Sequence, residues 1–239
     1  MRPITETQIA TLSAPGCRPE IRRMGRTSYE AARELQRRLV TDRAENRIAD
    51  TLILTSHPPV ITLGRGGDRD HLIATTDALA ARGVAFVETD RGGDITFHGP
   101  GQVVGYAIVD LARRGRDLHR YLRDLEQVLI DALATFGIEA GREPGLTGVW
   151  AGGAKVAAIG IRVSRWIAHH GFALNVDTDL SYFDLIVPCG IEGRGVTSMQ
   201  ALLGRPVDRG RVEDAIATSF GRVFVTSPAR STHVAQGSP

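Results

Sequence analysis

Lysine is almost missing from this 239-residue chain: of its 29 basic residues, 28 are arginine and one, Lys155, is lysine. Cysteine is nearly as scarce. Cys17 and Cys189 lie far apart without metal-ligand spacing, so neither a disulfide framework nor a metal site is expected. Aromatic residues make up 5% and the formal net charge is +2, too few rings to stack bases and too little charge to hold a phosphate backbone. No nucleic-acid partner is therefore expected. No apolar run is long enough to span a bilayer, and MRPITETQIATLSAPG lacks the apolar core of a signal peptide, so a cytoplasmic protein without a membrane partner is expected. The remaining 42% hydrophobic and 23% charged residues describe an ordinary globular composition, long enough for a substantial core.

The single lysine gains weight from its context. Arginine carries a fixed charge, whereas a lysine amine that is desolvated or set near another cation can release its proton, which makes it usable for proton transfer. In GVWAGGAKVAAIGIRV the period-two apolar pattern predicts a strand with Lys155, Ala157, Ile159 and Ile161 on one partly buried face. Cys189 stands in Pro188-Cys189-Gly190, in a loop between an apolar segment and a glycine-rich stretch; it reads either as an exposed nucleophile or as a small buried hydrophobe. The two residues are 34 positions apart, so only the fold can join them. If joined, an ammonium at about 4 Å is worth roughly 4 kcal/mol at an effective dielectric near 20. That is enough to lower a thiol pKa of about 8.5 until the thiolate is a major species at neutral pH.

The coarse pattern predicts α+β, with a mixed, mostly antiparallel sheet packed with helices. A helix is expected from a T-x-x-E capping box at Thr27, and TLILTSHPPVITLG reads as two strands parted by Pro58 and Pro59. TTDALAAR is a short helix closed by Gly83, VAFVET and QVVGYAIVDL are strands, and Asp117 caps the longest helix, whose apolar stripe runs from Leu118 to Phe136. AKVAAIGIRV and WIAHHGFALNV suggest a hairpin in which His169 and His170 face opposite sides. Helices from about Ser198 and Asp208 form a small C-terminal module. Arg113, Arg114, Arg116, Arg120 and Arg123, on or before the long helix, read as a docking face for an acidic carrier or as a solvated basic face.

RGGDITFHGPGQ, from Arg91 to Gln102, is rich in glycine and proline yet carries Arg91 and His98. Its glycines allow close approach of backbone to ligand, and Arg91 suits an anion or a carbonyl. A tight hairpin with an incidental arginine is the plainer reading. A phosphate cradle is disfavoured, since neither G-x-G-x-x-G nor G-x-x-x-x-G-K-[ST] occurs in the stretch.

In order, HPPVITLG, RGGDITFHGPGQVVGYAIVDL, GVWAGGAKVAAIGIR, HGFALNV and PCGI resemble the lipoyl(octanoyl) transferases, over about Ser28 to Phe220. The resemblance implies the catalytic fold shared by biotin and lipoate protein ligases, over residues 25–225, and leaves 1–24 as an N-terminal extension; 226–239, which has no periodicity, is expected to be a disordered tail. It implies octanoyl transfer from octanoyl-acyl carrier protein to a lysine of the lipoyl domains of 2-oxoacid dehydrogenases or of the glycine cleavage H protein. Cys189 would carry the acyl group as a thioester and Lys155 would lower its pKa and shuttle protons. Arg91, Gly92, Gly93, Asp94, Ile95, Thr96, Phe97 and His98 fall on the first substrate-binding stretch, Ala158, Ile159 and Gly160 on the second, and Gly171, Phe172 and Ala173 on the third. The small residues among these leave room beside the sheet for a narrow aliphatic chain. No cofactor and no ATP are expected, and the protein is expected to act as a monomer. An ATP-dependent lipoate or biotin ligase is the alternative.

Overall fold

The computed structural model describes residues 18–187 and 195–225. Cys17, Cys189, most of the expected extension and the expected tail lie outside the described residues. The elements in chain order are β1 (Glu20–Arg26), α1 (Tyr29–Ala44), β2 (Thr51–Ser56), β3 (Val60–Leu63), α2 (Thr76–Ala81), β4 (Ala85–Glu88), β5 (Ile95–His98) and β6 (Gln102–Asp110). They continue with α3 (Leu118–Ala134), β7 (Gly141–Glu143), β8 (Leu146–Ala151), β9 (Ala154–Ser164), β10 (Ile167–Asn175), α4 (Met199–Leu203) and α5 (Arg209–Val223).

A seven-stranded sheet runs β1-β2-β6-β10-β9-β8-β7 and a three-stranded sheet runs β4-β3-β5. Only β1–β2 and β3–β4 pair in parallel among these, so the α+β, mostly antiparallel expectation holds. Pro58 and Pro59 do more than separate two strands. The chain turns there from the large sheet into the small one, because proline cannot extend a hydrogen-bonded ladder. The expected hairpin forms between β9 and β10, turning through Arg165 and Trp166, both with positive φ.

Helices α3 and α5 cover one face of the large sheet, burying Leu125, Leu129 and Leu133 of α3 with Val212, Ile216 and Phe220 of α5. The C-terminal helices are thus part of the main core and not a separate module. Phe220 is fully buried and stacks on Phe224 at 4.4 Å between ring centroids. We expect Phe220→Ala to cost about 3–5 kcal/mol in urea unfolding, with one transition retained; two separated transitions would show an independent module instead. On the opposite face α1 packs Ala32, Leu39 and Val40 against Val104, Tyr106, Ile108 and Ala173. The small sheet closes its own core around Ile61, Ile95 and Phe97, with Phe183 and Ile186.

One local expectation is corrected. The cap of α1 is Ser28, whose hydroxyl accepts from the Ala31 amide, while Thr27 shares a hydrogen bond with Thr55 of β2. Sequence spacing favoured Thr27 because it sees only Glu30 three residues on; the competing partner comes from another strand. Four of the five arginines around α3 are engaged within the chain. Arg113 pairs with Asp110, Arg114 lies over the Phe224 ring, Arg116 lies over Trp166, and Arg123 pairs with Glu126. They brace α3 and its approach, while Arg113 and Arg123 stay about half exposed, as a solvated basic face requires.

Candidate active site

Strand β9 holds the feature that sets the site. Val149 of β8 pairs with Ala157 and Trp150 pairs with Lys155, so Val156 is one residue too many, a β-bulge. At the bulge the alternation of faces is interrupted, and it resumes beyond it with Ala157, Ile159, Ile161 and Val163 on the core face. Val156 and Ala157 both join the core beneath α3, while Lys155 comes out on the face of Ala158 and Ala173. The expected grouping of Lys155 with Ala157, Ile159 and Ile161 is therefore corrected by one inserted residue. Lys155 is 8% exposed, with its ammonium 4.9 Å from the Trp150 ring centre. Its stem passes Gly148, where φ is +122° and an added Cβ would come within 2.7 Å of the Ala157 carbonyl oxygen. Only glycine fits there.

Lys155 lines a narrow cavity with Thr96, Gln102, Ala158, Ala173, Asn175, Phe183 and Val196. Thr96, Ala158 and Ala173 also line a neighbouring cleft, which runs between the two sheets and under α1. Its walls carry Ile95, Val104, Ile159 and Phe172, with Tyr29, Arg91, Asp94, Thr96, His98, Tyr106 and His170 as the polar groups. The lining is that of a small-molecule site, mostly apolar with a few placed polar side chains.

Of the expected substrate-binding residues, Arg91, Gly93, Asp94, Ile95, Thr96, His98, Ala158, Ile159, Gly160, Gly171, Phe172 and Ala173 line this cavity. Phe97 does not; it is fully buried in the small-sheet core, stacked on Tyr182 at 4.6 Å, because it alternates away from Thr96 and His98. Gly92 donates its amide to the Ile161 carbonyl at 2.7 Å and ties the loop to β9. Arg91 is 7% exposed and donates to Thr62 Oγ1 and to the Thr62 and Gly92 carbonyls. Its guanidinium fastens the loop to β3 at the cavity wall. The glycines serve close backbone packing: a Cβ on Gly160 would stand 2.8 Å from the Gly92 carbonyl oxygen, and one on Gly171 would stand 2.2 Å from that of Gly105. Among the small residues on this face, only Ala158 and Ala173 line both cavities.

Sequence reasoning missed Tyr29, His57, Gln102, Tyr106 and Asn175. His57 Nδ1 lies 2.8 Å from the Thr27 carbonyl, which can only accept, so Nδ1 carries the proton. Nε2 must then accept, and the Tyr106 hydroxyl donates to it at 2.8 Å. Gln102 donates its amide to Phe97 O and Asn175 Oδ1, which turns its own oxygen toward His98 Nδ1. Asn175 in turn donates to Thr197 O, and the Thr197 amide donates to Lys155 O. One chain of hydrogen bonds thus runs from the cavity wall to the backbone of Lys155. The signal for it was faint: Tyr29 and Tyr106 read as apolar, and Gln102 and Asn175 as strand ends.

Burial holds His98 well below the ordinary imidazole value and lowers His57 as well, and it pushes Tyr106 well above the phenol value. Both imidazoles are neutral in the folded protein at neutral pH. The unfolded chain takes up protons on them near pH 6.5 and the folded chain does so only at lower pH. Stability therefore falls as pH drops below about 6.5, by up to about 1.4 kcal/mol per unit per imidazole. Urea midpoints measured from pH 7.5 to 5 should show that slope, reduced in a His57→Gln/His98→Gln variant; an unchanged slope would refute the assignment.

The profile of the lipoyl protein ligase A/B catalytic domain matches residues 28–221. The chain belongs to this family. An octanoyltransferase of Solibacter usitatus is 52% identical over 204 residues, spanning 85% of this chain and 92% of its own length. One from Geobacter metallireducens is 50% identical over 200 residues, spanning 84% and 91%. With such relatives this member of the family is an acyltransferase. The fold agrees. A lipoate-protein ligase A bound with ATP superposes with a TM-score of 0.67 over 87% of this chain and 85% of that one, at 16% identity. LipL1 of P. falciparum in complex with lipoate superposes with 0.68 over 86% and 62%, at 12% identity.

Proposed function

We propose that this acyltransferase takes an octanoyl group from octanoyl-acyl carrier protein and delivers it to a lysine of lipoyl domains, in 2-oxoacid dehydrogenases or the glycine cleavage H protein, through a Cys189 thioester. The supporting observation is the re-aimed Lys155 at the end of an apolar cavity that suits a short aliphatic chain. The Gly195 carbonyl accepts from the Lys155 amide, and Val187 is held by the His71 carbonyl. These two residues flank the segment that contains Cys189.

The chemistry balances without an energy source. The Lys155 ammonium favours the Cys189 thiolate, which attacks the donor carbonyl; the thioester bond to the carrier breaks and Lys155 protonates the departing thiolate. The neutral Lys155 amine then accepts the proton of the acceptor lysine as that amine attacks the acyl-enzyme. An amide replaces a thioester, and the cysteine is restored.

A ligase must first activate a free acid with ATP, which is the alternative reading. Incubation with octanoyl-carrier thioester and no nucleotide should add one octanoyl mass to the chain, located at Cys189 by peptide mass spectrometry. Modification of the acceptor only when ATP and free octanoate are supplied would replace this proposal with the ligase reading.

A further inference from the structure

We propose that Asp90, His169 and His170 form a binding site for one divalent transition-metal ion of the zinc class. One donor atom from each of the three side chains falls in a cluster no wider than 4.8 Å. His170 Nε2 is 2.9 Å from Asp90 Oδ1 and His169 Nε2 is 3.9 Å from Asp90 Oδ2. Two imidazoles and one carboxylate are a ligand set that zinc and its neighbours take readily.

Neighbouring residues of a strand normally point to opposite faces, and the sequence predicted that His169 and His170 would do so. They do not. His170 has φ 58°, a conformation that costs a non-glycine residue of order 1 kcal/mol or more and breaks the alternation. Both rings consequently turn to Asp90, stacked with centroids 5.1 Å apart. The two residues are 9% and 2% exposed, and the Nδ1 atom of each is buried with no hydrogen-bond partner. Asp90 faces the Nε2 atoms of both rings, and the Ile167 backbone also lies within reach of the His169 ring.

Zinc with bonds near 2.0–2.1 Å sets tetrahedral ligand atoms about 3.3 Å apart, so the three side chains need shifts of about 1.5 Å or less. The Asp90 side chain is half exposed, which lets water complete the coordination sphere. One group opposes the ion. Arg162 Nε lies 3.1 Å from Asp90 Oδ2 on a side chain that is 29% exposed, and must yield that oxygen to the metal. An ion here would clamp the residue just before Arg91 to β10, on the outer side of the wall that His170 contributes to the cavity.

The test uses the full chain in a Cys17→Ser/Cys189→Ser background, so that thiolates take no metal. Titration with Zn²⁺ by calorimetry should give one ion per chain and a rise in melting temperature, and Co²⁺ should give a visible ligand-field band. Asp90→Asn, His169→Ala and the bulkier His169→Gln should each weaken Zn²⁺ binding at least about tenfold and remove the Co²⁺ band. Two results would overturn the proposal: no uptake of Zn²⁺ up to about millimolar concentration, or uptake that a folded His169→Gln variant leaves unchanged.

Discussion

Replacing Cys189 with serine is expected to abolish the acyl-enzyme and to lower octanoyl transfer by at least about a thousandfold. A serine hydroxyl has a far higher pKa than a thiol, and an ammonium neighbour cannot make enough alkoxide at neutral pH to compensate. Direct transfer from donor to acceptor is the remaining route, and it would need both large proteins bound at once. The measurement is transfer to a lipoyl domain followed by intact mass, with the circular dichroism of the variant as a folding check. Turnover within tenfold of the wild type would remove Cys189 from the mechanism and leave the cavity to serve direct transfer.

Replacing Lys155 with arginine is expected to lower turnover about a hundredfold or more, the usual contribution of a positioned acid–base group. Arginine keeps a positive charge at position 155 but cannot release a proton near neutral pH. The charge and proton roles separate in one experiment: alkylation of Cys189 at pH 7 should stay fast in the arginine variant while octanoyl transfer falls. Lys155→Met should lose both. Near-normal transfer in the arginine variant would reduce Lys155 to an electrostatic role. The larger guanidinium must also fit beside Trp150 and the Gly148 backbone, so the melting temperature is compared alongside.

Much of the fold was legible because its signals are local. The Asp117 cap, the stripe of α3, the Ser198 and Asp208 caps and the Gly83 stop all depend on residues within a few positions of one another. β5 was hidden inside a glycine-rich loop, and β1 and β7 lack the apolar alternation that marks a half-buried strand. The site was half legible. Lys155 and the Arg91 to His98 stretch stood out by rarity and composition, yet nothing in the spacing showed that a Cβ at Gly160 or Gly171 would meet backbone, or that Phe97 turns into the small-sheet core. Strand spacing shows which residues share a face but not whether the space above them holds ligand or another backbone.

By itself the sequence determined the fold class, the family and the two residues on which acyl transfer is proposed to turn, since composition and ordered motifs need no third dimension. The tertiary structure decided where those residues point. A single extra residue at Val156 carries Lys155 through to the cavity side of the sheet, and one positive φ at His170 brings two imidazoles to the same carboxylate. Both are set by how a strand meets its neighbours, so no period read along one strand could predict them.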